Sequence, residues 1–208
     1  MSTYGVKDIK AAISRRETLI TAVAISCAAL QRSAWALDQI GMVTEIRGTA
    51  SAEAGGSTRS LAEDGPVFLA ELLRTGEESR LGLHLGLRTS VRLGARSKLR
   101  IDRYIADAGG EIIVDSGQLL FDGRARRGLT VRSPYALIAV RGTKFFAGQL
   151  DNGFSVFVAR GAVSVSAAGT EVILREGDGT DIAFVGAPPT PAKKWGPPKI
   201  ARAFALVV

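Results

Sequence analysis

The chain has 208 residues, enough for one domain with a full core and short appendages but crowded for two large domains. It carries 27 Lys and Arg against 20 Asp and Glu, but residues 1–36 take Lys7, Lys10, Arg15, Arg16 and Arg32 against Asp8 and Glu17, leaving 22 basic and 18 acidic groups and a net of +4 for the remainder. A charge that small, with both signs interspersed, describes solubility and excludes a nucleic-acid signature.

Residues 1–36 read as an export signal and are set apart from the fold. Arg15 and Arg16 precede the apolar stretch TLITAVAISCAAL, which is too short to span a bilayer stably. The small residues Ala34 and Ala36 in AWA mark a cleavage site before Leu37. The stretch SRRETLI is similar to a twin-arginine signal, with Leu19 downstream and Thr18 where such signals favour Phe. Cys27 invites a lipoprotein reading, but Ala24 stands where a lipobox prefers Leu. An amphipathic helix is the bland alternative, and it is weaker because the stretch has no polar face. With the signal removed the chain has no cysteine, which excludes disulfides, thiol catalysis and cysteine metal sites. The expected location is the periplasm, with membrane contact only through an uncleaved leader.

From Gly41 onward glycines recur and apolar residues alternate with polar ones at period two, while no helical period is sustained before Val185. RLGLHLGLRTSVRLG places Leu81, Leu83, Leu85 and Leu87 on one face. FSVFV does the same with Phe154, Val156 and Val158, and SVSV extends a face from Val163 to Val165. The knot RARR at residues 124–127 lies between Gly123 and Gly128 and reads as a solvated turn. ALIAV, residues 136–140, reads as a strand buried on both faces. The fold class is all-β, with many short strands in a sandwich or in solenoid-like coils over residues 37–185. Residues 186–208 form a short Pro-rich tail that packs on this domain through Trp195. Its ending KIARAFALVV is a final strand or a short helix with Ile200, Phe204 and Leu206 or Val207 inward.

SPYALIAVRGTKFF, followed by DNGFSVFVARGAVSVSAAGTEVILREGDGTDI, resembles the FecR domain, and GLRTSVRLGARSKLRID and EIIVDSGQLLFD upstream fit the same pattern, from about Gly41 to Phe184. The resemblance implies a periplasmic module that binds other molecules. In the proteins best known to carry it, such a domain relays signals from outer-membrane receptors to a sigma factor. The residues ahead of the apolar stretch do not resemble the cytoplasmic anti-sigma region of those proteins, so the iron-transport role is not carried over.

The residues themselves give Pro134, Arg141, Gly142, Thr143 and Phe145 a structural role. Pro134 fixes entry to a strand, and Gly142 permits a bend. The Thr143 hydroxyl bonds local backbone, while Arg141 finds carbonyl acceptors at a buried corner. Of Phe145 and Phe146, one ring belongs in the core and the other nearer the surface. An anion or partner-carboxylate site is the alternative reading of this corner.

Little in the chain supports catalysis. His84, the only histidine, alternates with leucines as a neutral or solvent-facing strand residue; a zinc site needs more such ligands than the mature chain offers, and a serine triad needs a nucleophile elbow that is absent. Glu176, Asp178 and Asp181 lie among glycines as an exposed turn, with weak calcium binding as the alternative. No phosphate loop appears. The expectation is a non-enzymatic exported module of the cell envelope, without cofactor, that acts in interaction or signalling. Its partner would be an unidentified envelope protein, met at exposed strand edges or at Tyr104, Tyr135 and Trp195. The alternative is a structural wall protein that binds peptidoglycan or another cell-wall polymer through those aromatics.

Overall fold

The alternation read in the sequence resolves into strands shared between two nine-stranded sheets. The computed structural model describes residues 38–105, 109–124 and 128–208, without the side chains of 103–105. The chain divides after Ala36, and these residues belong to the second unit, Leu37–Val208. The first sheet runs β4 (Pro66–Phe68), β1 (Gln39–Arg47), β6 (Arg80–Leu85), β7 (Thr89–Leu93), β10 (Gln118–Gly123), β13 (Lys144–Leu150), β14 (Gly153–Arg160), β17 (Asp178–Ile182) and β18 (Lys193–Lys194). The second runs β3 (Ser57–Ser60), β2 (Ala50–Ala54), β5 (Leu72–Thr75), β8 (Lys98–Ile105), β9 (Gly109–Ser116), β11 (Leu129–Arg132), β12 (Leu137–Val140), β15 (Ala162–Ala167) and β16 (Thr170–Arg175).

After the opening strands, the order in both sheets rises steadily along the chain, because the chain leaves one sheet for the other every one or two strands. The result is a sandwich whose strands advance from end to end, so each expected architecture describes part of it. Pairing is antiparallel except between β9 and β11, which run parallel because the chain crosses to the first sheet for β10 between them.

One apolar core fills the space between the sheets. The first contributes Leu83, Val91, Phe145 and Val156, and the second Leu73, Ile112, Ile138 and Val165, all fully buried. Two expectations change here. Leu87 falls in the turn between β6 and β7 and is 84% exposed, so it leaves the face that Leu81, Leu83 and Leu85 share. The strand of ALIAV is one-sided: Ile138 and Val140 face the core, while Leu137 and Ala139 face out. The second sheet has water on its outer side, so only alternate residues can be buried.

The outer side of the first sheet carries a third layer. Leu120, Phe146, Leu150 and Phe157 project from β10, β13 and β14 and are covered by Trp195, Ala203 and Val207 of the tail. The ending is therefore a helix, α1 (Pro197–Ala205), with prolines in its first turn, where their missing N–H groups cost nothing. Ile200, Ala203, Phe204 and Val207 recur at helical spacing and meet the sheet. This layer corrects the reading of the phenylalanine pair. Both rings are fully buried, Phe145 between the sheets and Phe146 beneath the tail, because each face of β13 is covered.

Candidate partner-binding surface

The corner at Arg141 is simpler than its sequence suggests. Gly142 has φ +66°, the left-handed bend that glycine supplies without strain. Pro134 sits exposed in the turn before β12, where the Ser133 hydroxyl accepts the N–H groups of Tyr135 (3.2 Å) and Ala136 (3.0 Å). Thr143 is fully buried and its carbonyl accepts from Gly123 N–H at 3.1 Å, but its hydroxyl has no hydrogen-bond partner among the described residues. Arg141 is exposed and makes no described contact of the kind a buried corner requires. Both role assignments are therefore corrected: bending at Gly142 turns the Arg141 side chain out to water, where solvent replaces the carbonyl acceptors, and packing against Gly161 holds Thr143. Arg141→Ala is expected to change stability by less than about 0.5 kcal/mol. Thr143→Val, which removes an unsatisfied hydroxyl at constant volume, is expected to raise it by up to about 1 kcal/mol. Urea titration of both variants checks the pair.

The acidic cluster near β17 serves the tail. Asp181 accepts from Lys199 Nζ and from the Ser155 hydroxyl, each at 2.6 Å, and Lys193 lies 3.5 Å away. Burial pushes its pKa up, but the hydrogen bonds from Lys199 and Ser155 and the charges of both lysines outweigh that, so the carboxyl lies below the ordinary aspartate value. Asp178 is likewise lowered, first by its hydrogen bond with Lys194 and then by the Arg175 N–H. Ser155, Asp181 and Lys199 form a trio, but the buried hydroxyl and the lysine both donate to the carboxylate, an arrangement that fastens the tail rather than activating a nucleophile.

A group with a depressed folded-state pKa stabilises the fold above its unfolded value and loses that contribution as pH falls through the lowered one. Acidification below about pH 4 is therefore expected to loosen residues 186–208. Asp181→Asn should flatten this acid dependence, read as protease cutting after Lys193 and Lys194 against pH.

An open cleft of about 680 Å³ lies at the other edge of α1, lined by Glu77, Glu78, Arg80, Arg96, Gln118 and Gln149 among others. Glu77 is taken up by Arg96 at 2.7 Å, so the cleft does not present a free pair of acids. Among the described residues no group of three or more His, Cys, Asp or Glu could hold a metal ion.

Of the aromatics expected to form a partner surface, Tyr135 and Trp195 pack in different layers. Trp195 is buried, 7% exposed, and stacks on Phe157 with centroids 5.0 Å apart, which corrects its assignment to a partner surface. Tyr135 is half-buried and stacks on Phe154 at 4.9 Å. Tyr104 is paired in β8 with Gly110, and its side chain lies outside the described residues.

The outer face of the second sheet is the surface left open. Ladder pairing sets Ile173, Ser164, Ala139, Thr130 and Glu111 side by side across β16, β15, β12, β11 and β9. The neighbouring row is Glu171, Ser166, Leu137, Arg132 and Ile113. Leu137 is 37% exposed and Ile173 62% exposed, among small or hydroxyl-bearing neighbours, and the Arg132–Glu111 ion pair at 2.8 Å closes one side. Sequence reading missed these two residues. The signal was present in the alternation of Leu137 with Ile138, which the reading of ALIAV as doubly buried concealed.

The family described as FecR protein matches residues 71–164, a shorter span than the resemblance over about 41–184, although both sheets continue beyond it on either side. No curated protein matches the chain. Two crystal structures of a candidate anti-sigma factor from Parabacteroides distasonis, at 1.65 and 2.50 Å resolution, share the fold: each has a TM-score of 0.53, 18% identity, and 62% coverage both of this chain and of that one.

Proposed function

We propose that this chain, whose residues 71–164 match the family described as FecR protein, is an exported, non-catalytic signalling or interaction module of the cell envelope that binds another protein on the outer face of its second sheet. The observation that carries this reading is the contrast between the two sheets. The first has its outer apolar residues sealed by the tail, whereas the second leaves Leu137 and Ile173 in water, with charged groups such as Arg132 and Glu171 beside them. Apolar side chains presented singly are ordinary, but two on one uncovered sheet face beside a free edge suit a protein surface. The likeness to a candidate anti-sigma factor supports a role in a protein relay. Residues 1–36 would act as the export signal, and the domain would work in the periplasm. The wall-glycan reading is not favoured, since Trp195 is buried and Tyr135 lies against Phe154 instead of lining a groove.

A photo-crosslinking residue at position 137, in the full-length protein expressed in its own envelope, tests the proposal. The expected outcome is a discrete protein adduct that is absent when the crosslinker stands at position 202 on the opposite side. Leu137→Asp should weaken capture roughly tenfold. Sedimentation with wall sacculi, or no adduct from position 137, would overturn the reading.

A further inference from the structure

The edge strand β16, with sequence TEVILR, pairs only with β15 among the described residues. Ala168 at φ +48° and Gly169 at φ +75° close these strands with a two-residue turn, which makes Ala167 and Thr170 a hydrogen-bonded pair. The pairs Val165–Val172 and Val163–Leu174 follow at the same phase, so the backbone groups of Glu171, Ile173 and Arg175 point to the free edge. Among the described residues, only the Arg175 N–H is taken, by the Asp178 carboxylate at 2.9 Å. The side chains of the same three residues lie on the outer face, while Val172 and Leu174 turn inward.

We propose that β16 pairs antiparallel with β16 of a second copy of this chain, about a two-fold axis at Ile173. In that register Ile173 faces Ile173, and the two exchange both backbone hydrogen bonds. Glu171 of each copy then lies opposite Arg175 of the other, giving two cross-strand pairs of opposite charge, and the Glu171 N–H reaches the Arg175 carbonyl. Val172 and Leu174 meet on the inner side. Outward-pointing backbone and outward-pointing side chains coincide at residues 171, 173 and 175, so this one register satisfies hydrogen bonding, face matching and charge together. Exposed edges are ordinarily guarded by charged side chains, often lysines, by bulges or by proline. This edge instead has an acid and a base at mirrored distances from an exposed isoleucine, a pattern that a two-fold axis turns into attraction. The product is a continuous sheet of eighteen strands that leaves Leu137 open, so this inference goes beyond the function proposed above and either can fail alone.

The test uses the processed protein purified from the envelope fraction, with mass measured by sedimentation equilibrium. A reversible dimer is expected. Glu171→Arg and Arg175→Glu, each of which sets like charges opposite one another, should weaken dimerisation roughly tenfold or more, and the double exchange should restore it. Ile173→Cys should form a disulfide-linked dimer under mild oxidation, because directly opposed residues lie about 5.5 Å apart at Cα, within reach of a disulfide. Matching thermal melts confirm that each variant is folded. A monomer at all concentrations, a dimer indifferent to the single charge changes, or a double exchange as weak as the single ones would overturn the proposal.

Discussion

Trp195→Ala is expected to destabilise the domain by about 3 kcal/mol and to free residues 186–208 from the first sheet. The indole is the centre of the outer layer. It lies flat on Phe157, which also meets the edge of Phe204 at 6.3 Å, and Lys199 Nζ sits 4.3 Å above the ring. Its backbone N–H donates to Gly177 at 3.1 Å. The sheet is shaped to receive it: a Cβ at Gly179 would lie 2.2 Å from the indole nitrogen, so any side chain there would displace the ring. That nitrogen is buried without a hydrogen-bond partner among the described residues, so Trp195→Phe should cost much less, under about 1.5 kcal/mol. Calorimetry gives the stability change, and cleavage after Lys193 and Lys194 reports release of the tail. An unchanged melt together with an uncut tail would contradict the account.

Phe145→Ala and Phe146→Ala are each expected to cost about 3–5 kcal/mol, although their side chains lie in different layers. Phe145 stands beside Phe121 and Val158 in the ladder and packs on the Phe121 ring at 5.4 Å in the space between the sheets. Phe146 stands beside Leu120 and Phe157 on the outer side. Combination with Trp195→Ala separates the two layers. Once the tail is lifted, Phe146 is already wet and its truncation should cost less, with a coupling of about 0.5–3 kcal/mol. Phe145, walled off by the backbone of its own sheet, should lose the same stability in either background. Equal coupling of both residues to Trp195 would mean that the layers are not separate.

The pairing of layers explains what could be read from the sequence. Period-two runs such as Phe154, Val156 and Val158 identify strands and their core face because the pleat leaves no other way to bury alternate residues. The ending KIARAFALVV reads equally as a strand or a short helix, and the structure decides for the helix with Val207 inward, while Trp195 among prolines is legible as an anchor. What escaped was the identity of the layer lying opposite each face. Phe157 alternates out of phase with Val156 and Val158, a sign of a second buried face that only the tail, some forty residues later, could supply. The reverse holds at Leu137, an apolar residue on a face that nothing covers. At Arg141 the residue type suggested a buried, satisfied cation, but a bend at Gly142 turns the side chain to water. Local pattern fixes which way a side chain points; the presence of another layer is a long-range fact.

The steady advance of strand order through both sheets has a mechanical consequence. Each strand is hydrogen-bonded to strands close to it in the chain, at most five positions away, so cohesion is passed along the molecule from neighbour to neighbour. Fraying should begin at the two ends and stop wherever it meets a well-packed rung. The ends are unequal: the earlier one finishes in the short strands β3 and β4, whereas near the later one the tail pairs with β17 through β18 and fastens Lys199 to Asp181. Amide exchange should therefore be fastest at the amino-terminal edge and slow progressively toward β10 and β13, which makes the carboxy-terminal half the part that survives when the molecule is partly unravelled.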